Sequence, residues 1–128
     1  MRYSAFIFFI LSPFASFAEQ YICMAEQAAG FIYKNDAWTD GKLTSDNKYL
    51  VSFEKKSISI FGEAEPIHTN CEIFKVAGKR VLNCYEDFGE FLMSSDTMKY
   101  QRAVPWFDYV IEETNGTPNI EIGTCVKF

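Results

Sequence analysis

The four cysteines are the residues whose type and spacing allow the most definite chemistry in this 128-residue sequence. They are Cys23, Cys71, Cys84 and Cys125, and no two of them form a close pair such as C-x-x-C. A structural zinc site needs such pairs completed by cysteine or histidine, and the sequence holds one histidine, His68. An even number of cysteines in an exported chain predicts two disulfides instead of a metal site.

The segment between Cys71 and Cys84, CEIFKVAGKRVLNC, predicts a disulfide-closed hairpin. Folding it about a two-residue turn at Ala77-Gly78 places the two cysteines opposite each other as a non-hydrogen-bonded pair. The Cα atoms of such pairs lie about 4.5 Å apart, which a disulfide can span. A loop of three or four residues would shift this register. By elimination Cys23 bonds to Cys125, which brings the first and last strands together as a closed barrel requires.

Catalytic side chains are poorly represented. Glu86, Asp87 and Glu90 form the densest group of carboxylates, but their spacing does not separate a glycosidase pair from a solvated acidic turn. His68 has no serine or cysteine partner in sequence, and nucleophile-elbow, P-loop and dinucleotide motifs are absent from the sequence. We therefore expect a non-enzymatic protein without metal or cofactor. A hydrolase that uses Glu86 and Glu90 is the less favoured alternative.

The tryptophans and the acidic residues suit partner binding better than catalysis. Alternation over 106–113 places Trp106 on one face with Asp108 and Glu112, which predicts that this tryptophan is exposed and able to anchor a partner. The alternative is that the tryptophans cap an end of a barrel. The candidate partner-binding residues are Trp106, Trp38, Glu86 and Asp87. The formal net charge of −5 argues against nucleic acid and suits a basic protein partner.

Residues 1–18, MRYSAFIFFILSPFASFA, have the pattern of a secretory signal peptide. Arg2 supplies the positive start, an apolar run covers 5–11, and small residues stand where a signal peptidase cleaves. The run is shorter than the roughly 20 apolar residues of a membrane span. We therefore expect a periplasmic or secreted protein without a stable membrane anchor, with residues 19–128 forming one domain.

The remaining sequence alternates apolar and polar residues between turn signals, which is the period of β-strands. KYLVSFE at 48–54 and NIEIGTCVKF at 119–128 are typical examples. The candidate strands cover residues 20–26, 29–34, 37–39, 48–54, 57–62, 71–76, 79–85, 89–93, 98–103, 106–113 and 119–127. We expect about eight to ten of them to form one all-β domain, an antiparallel up-and-down barrel or a curved meander.

Two segments depart from this simple pattern. CMAEQAAG at 23–30 has helix-favouring composition, but its short length and its flanks favour two strands joined at Gln27-Ala28. GEAEPIHTN at 62–70 contains Pro66 and is predicted to be a loop.

Four stretches resemble a group of small exported proteins of Gram-negative bacteria and their prophages. They are EQYICMAEQAAGFIYKNDAWT, DNKYLVSF, FGEFLMSSDTMKY and TPNIEIGTCVKF, which cover nearly all of residues 19–128. The resemblance implies the location and the fold and supplies no catalytic residue. A looser likeness, in the early Y-x-C and the late cysteine, is to periplasmic inhibitors of C-type lysozyme, which are shorter exported barrels.

Taken together, these observations predict an exported binding or interaction protein, with inhibition of a cell-wall hydrolase as its concrete form. A barrel that carries one small apolar ligand is the alternative, because an eight-stranded barrel has room for side chains or a small ligand.

Overall fold

The computed structural model describes residues 19–86 and 89–128, and the side chain of Glu86 is outside that description. The signal-peptide prediction for 1–18 and the candidate Asp87 lie outside the described residues. The strands are β1 (Gln20–Lys34), β2 (Ala37–Leu43), β3 (Lys48–Ser52), β4 (Ser57–Ile60), β5 (Pro66–His68), β6 (Cys71–Val76), β7 (Lys79–Glu86), β8 (Gly89–Ser94), β9 (Lys99–Val104) and β10 (Asn119–Lys127).

The strands form one antiparallel, nearly closed barrel, which confirms the predicted fold. Their order in the sheet is β5-β4-β3-β1-β10-β9-β8-β7-β6, and β2 pairs with β1 off this path. The short segment 69–70 carries the chain from β5 at one edge to β6 at the other. The backbone N–H of Tyr85 donates to the carbonyl of Asn70 at 3.1 Å, so this segment also bonds to the sheet.

Strand β1 is continuous over 15 residues, so the predicted division into two strands at Gln27-Ala28 is wrong. A bulge between Ala25 and Gln27 accommodates the extra residue Glu26 and lets one strand change direction. Its first part pairs with β3 in the barrel wall, and its last part forms a hairpin with β2.

The β6–β7 hairpin has the predicted turn and register. Ala77 and Gly78 both have positive φ, 50° and 77°, as a twisted two-residue turn requires. Cys71 pairs with Cys84 across the strands, and both predicted disulfides, Cys71–Cys84 and Cys23–Cys125, are present. Each disulfide joins Cα atoms 4.0 Å apart.

Two predicted segments differ from the structure. Residues 106–113 form consecutive turns and no strand, because Asp108 accepts backbone N–H groups from the far side of the loop and thereby replaces ladder pairing. Part of the predicted loop 62–70 forms the short strand β5. Pro66 is tolerated there because β5 is an edge strand, where a missing N–H leaves no ladder bond unmade.

Aromatic and aliphatic side chains occupy the interior of the barrel. The rings of Phe91 and Tyr100 stack with centroids 5.1 Å apart, and Tyr49 meets Phe91 edge-on at 5.3 Å. Gly123 permits this packing, because a Cβ there would lie 2.5 Å from the Tyr100 ring. The largest fully buried side chains are Tyr49, Phe53, Phe91, Ile58, Leu82, Met93, Val51, Cys23 and Cys84.

Polar contacts lie toward both ends of β10. Near its start the carboxylate of Glu121, 3% exposed, accepts hydrogen bonds from Tyr100 at 2.7 Å and from the 45–47 segment. Near its end Arg80 pairs with Glu19 at 2.6 Å and lies over the Phe53 ring. The hydrogen bond from Arg80 holds the pKa of the Glu19 carboxyl below its usual value.

Candidate partner-binding surface

A continuous apolar surface lies where the β1–β2 hairpin meets the 105–118 loop. We call it the hairpin–loop patch, and it consists of Phe31, Tyr33, Trp38, Trp106, Tyr109 and Val110. Tyr109 and Val110 are 69% and 79% exposed. Ile32, Phe107 and Ile111 of the same two segments are also exposed. Contiguous exposed apolar surface of this kind marks interaction sites on folded proteins.

Strand alternation places the hairpin members of the patch on one face. Phe31 and Tyr33 stand two positions apart, and Trp38 is the cross-strand partner of Tyr33. The rings of Tyr33 and Trp38 meet edge-on, with their centroids 5.6 Å apart. The turn at Asn35-Asp36, with φ of 53° and 61°, fixes this register.

Asp108 shapes the loop that supplies the rest of the patch. Its Oδ2 accepts the backbone N–H groups of Asn115 and Gly116 at 3.0 and 2.7 Å, which closes the loop on itself. The N–H of Phe31 donates to the carbonyl of Pro118 at 3.0 Å and so attaches the loop to the hairpin. Tyr109 then reaches Trp38, with ring centroids 6.0 Å apart.

Two of the clefts on this surface adjoin Phe31. One of about 460 Å³ is lined by Phe31, Trp38, Pro105, Trp106, Tyr109, Val110 and Pro118. A second of about 750 Å³ shares Phe31, Pro105 and Pro118 with the first and extends past Asp40 and Lys42 toward Ile120 on β10. The side chains of a partner therefore find apolar recesses next to the exposed rings.

Acidic residues surround the patch. We call Asp36, Asp40, Glu112 and Glu113 the acidic rim; Lys34 and Lys42 are the lysines of the hairpin. Glu112 and Glu113 line a recess with Tyr33, Trp38 and Tyr109. The rim gives the patch a local negative charge that complements a cationic partner.

The structure brings together two of the four sequence-predicted partner residues. Trp106, 43% exposed, and the half-buried Trp38 line the same cleft. The backbone of Glu86 ends β7 opposite Gly89, which lines the larger cleft. Glu90, the third carboxylate of that group, is half-buried and borders the larger cleft.

Sequence reasoning missed four members of the patch, Phe31, Tyr33, Tyr109 and Val110. Treating 106–113 as a strand implied that Tyr109 faces a core, whereas the loop presents it to solvent. The sequence signal that could have found them is the high local content of large apolar residues. FIY at 31–33 and WFDYVI at 106–111 contain more of them than a turn, or a strand buried on one face, can place in a core.

Metal sites and membrane-spanning helices are the two other features that bear on function. Within 19–86 and 89–128 no group of three or more His, Cys, Asp or Glu is placed to hold a metal ion. In the same ranges, no helix has the length and apolar character needed to cross a lipid bilayer.

Comparison with protein-family models, with curated proteins and with solved structures found no match. The resemblance to small exported proteins, and the likeness to lysozyme inhibitors, stay predictions from the sequence.

Proposed function

We propose that this chain is an exported, non-enzymatic binding protein of the periplasm that docks a cationic protein through the hairpin–loop patch. The observation that carries the proposal is the clustering of five exposed large apolar side chains and the half-buried Trp38, from two separate segments, beside the acidic rim. The two disulfides fit an oxidising compartment such as the periplasm.

The composition of the patch suits recognition by a partner. Tyrosine and tryptophan combine a large contact area with few rotatable bonds, so ordering them on binding costs little entropy. The patch holds two of each, with rings already in contact at Tyr33–Trp38 and Trp38–Tyr109. A surface that is ordered before binding loses less free energy on association.

Inhibition of a cell-wall hydrolase is the concrete form of this proposal. C-type lysozymes are basic, so an acidic rim accelerates their encounter with the patch, and apolar clefts retain them once bound. The test is the activity of several lysozymes in the presence of micromolar protein, together with titration calorimetry. Binding with loss of lysozyme activity supports inhibition. Unchanged activity of every lysozyme, with no heat of binding, contradicts the concrete form.

An apolar-ligand carrier is the second candidate, and the larger cleft is the feature that favours it. The barrel interior carries fully buried side chains, so a ligand would occupy the cleft of about 750 Å³ beside Phe31 and Ile120. Native mass spectrometry of protein purified without reduction distinguishes the two, since a carrier retains a small-molecule adduct.

The hydrolase alternative rests on Glu86 and Glu90. Any hydrolytic activity found in the purified protein should disappear in Glu86→Gln and Glu90→Gln variants if these carboxylates perform it. Retention of the activity in both variants would exclude them.

A further inference from the structure

Among residues 19–86 and 89–128, strand β2 pairs only with β1, which leaves its other edge unpaired there. Its pairing with β1 runs from Ala37 opposite Lys34 to Leu43 opposite Ala28. In a hairpin with a two-residue turn, the residues that flank the turn form a hydrogen-bonded pair, and bonded and non-bonded pairs then alternate. Ala37, Thr39 and Gly41 therefore direct their backbone N–H and C=O groups toward β1.

The other residues of β2 direct their backbone groups away from β1. They are Trp38, Asp40 and Lys42, which pair with Tyr33, Phe31 and Ala29 as non-bonded pairs. Within the described residues no other strand pairs with β2. A row of such groups is a template for an additional strand.

The free edge adjoins the hairpin–loop patch. Trp38 lines the cleft of about 460 Å³, and Asp40 and Lys42 line the cleft of about 750 Å³. A strand that paired with β2 would send alternate side chains to this same face of the sheet. The geometry therefore supplies both parts of strand addition, a backbone edge for affinity and recesses for side-chain specificity.

Two other strands lie at the ends of the sheet order, β6 and β5. Strand β6 has six residues and no proline, but it borders neither of the two clefts. Strand β5 is three residues long and begins with Pro66, which limits its ability to accept a partner strand. Strand β2 has seven residues and no proline. Its length matches a segment of about six to eight residues in a partner.

We infer that the partner binds by adding an extended cationic segment to the free edge of β2, with its apolar side chains in the two clefts. The inference rests on the proposed function and names the form of the contact. Charge favours a cationic occupant, because the four carboxylates of the acidic rim outnumber the two lysines of the hairpin, Lys34 and Lys42. A cationic residue opposite Asp40, which lies mid-strand, would form a favourable cross-strand pair. A second copy of this chain is the rival occupant, because the β6–β7 hairpin carries Lys75, Lys79 and Arg80.

Amide hydrogen exchange measured by NMR tests the edge directly. The probe is a synthetic octapeptide, Val-Ser-Lys-Ser-Val-Ser-Lys-Ser, in which valine and lysine share one face of the strand, because Asp40 and the two clefts lie on the same face of β2. It is compared with the same peptide N-methylated at every second residue. In the free protein the amides of Thr39 and Gly41 should exchange slowly and those of Trp38, Asp40 and Lys42 rapidly. Added peptide should slow exchange at those three amides, and the methylated peptide should leave them unchanged.

Asp40→Pro and Asp40→Ala separate the backbone from the side chain. Proline removes the carboxylate and also an N–H that faces away from β1, so it should weaken peptide binding about tenfold more than alanine does, the equivalent of one lost hydrogen bond. Alanine keeps the N–H and should weaken binding only about two- to fivefold through the lost charge. Lys42→Pro is the second variant, used if near-ultraviolet circular dichroism shows that Asp40→Pro disturbs the fold.

The outcomes distinguish failure of this inference from failure of the proposed function. If peptide and lysozyme bind with sensitivity to Tyr109→Ala while the edge amides stay unprotected, strand addition is wrong and the patch remains the site. If neither cationic probe binds, both ideas are wrong. Concentration-dependent protection of the edge in the protein alone would instead assign the edge to a second copy of the chain and overturn the inference.

Discussion

Asp108 and Glu121 each fix a segment that lies outside the strand ladder. Asp108 closes the 105–118 loop through two backbone N–H groups. Glu121 holds the 45–47 segment through the side chains of Ser45 and Asn47, at 2.5 and 2.8 Å, while Tyr100 donates to its other oxygen. Hydrogen bonds to a charged acceptor are stronger than neutral ones. The half-buried Asp108 therefore stabilises its own loop, and the buried Glu121 ties the 45–47 segment to the barrel.

Removal of the Glu121 carboxylate should destabilise the fold. Glu121→Ala leaves Tyr100 and two polar side chains of the 45–47 segment without their acceptor, so we expect a loss of about 2–4 kcal/mol in the free energy of unfolding. Urea denaturation measures it. Glu72→Ala, at an exposed position on β6, is the matched control and should change stability by less than about 0.5 kcal/mol. Equal losses in the two variants would show that the Glu121 contacts contribute nothing.

Alkaline pH should destabilise the protein through its buried tyrosines. Burial raises the pKa of Tyr49 to about 12, whereas its phenol titrates near 10 in the unfolded chain. The raised folded-state pKa means that this contribution is complete below pH 10 and is lost as pH rises toward 12. Tyr49→Phe should therefore show a shallower fall in unfolding free energy between pH 10 and 12 than the parent protein. The same slope in both proteins would contradict this assignment, and Tyr85→Phe is the matched control.

The strands differ in how far their structure can be predicted from local sequence. The β6–β7 hairpin was predictable in turn, register and disulfide, because its two cysteines and its two-residue turn lie within one short segment. Cys23–Cys125 then followed by elimination. The bulge at Ala25–Gln27 was not predictable, since continuity of β1 depends on pairing with β10 and β3, which are distant in sequence.

Alternation misled at 106–113 for a related reason. An alternating pattern is compatible with a half-buried strand or with a loop that exposes its apolar residues, and only tertiary contacts distinguish them. In this chain the loop is stabilised by the hydrogen bonds to Asp108 and by the hydrogen bond from the Phe31 N–H to the Pro118 carbonyl. The exposure of Trp106 was thus expected from a strand that does not form. The position of Trp106 beside Trp38 in one cleft could not be predicted, because the two residues belong to segments that are distant in sequence.

The two disulfides should contribute unequally because they close loops of different length. Cys71 and Cys84 are separated by 13 positions and Cys23 and Cys125 by 102. In the chain-entropy account, loss of the short loop costs about 3 kcal/mol and loss of the long loop about 4–5 kcal/mol. Thermal unfolding of the two double-alanine variants measures this order. A larger loss for Cys71→Ala/Cys84→Ala would contradict it.

At the scale of the whole molecule, a disulfide-linked barrel holds the β1–β2 hairpin and the 105–118 loop side by side. In the described residues, side chains pack the barrel interior, and the hairpin–loop patch and its clefts face solvent. The chain carries a formal charge of −5, and the acidic rim places part of that charge at the patch.

Charge at the rim should control the rate of encounter with a basic partner. Glu112→Lys/Glu113→Lys should lower the association rate constant for C-type lysozyme about tenfold at low salt, and the difference should shrink as salt screens the charges. Stopped-flow fluorescence measures the rate. Glu63→Lys/Glu65→Lys, in the β4–β5 turn, makes the same change in net charge away from the patch. Equal effects of the two reversals would show that overall charge acts and the rim does not.

The affinity of the Tyr109→Ala variant for C-type lysozyme is the most direct test that the hairpin–loop patch binds a cationic protein. Truncation of this exposed ring should raise the dissociation constant about 30-fold or more, the equivalent of about 2 kcal/mol for a hot-spot tyrosine. Tyr85→Ala removes a similarly exposed tyrosine from β7 and should leave the affinity unchanged. Titration calorimetry of the parent and the two variants supplies all three values. Equal affinity of the parent and Tyr109→Ala proteins, or no binding by the parent, would contradict the assignment of this surface.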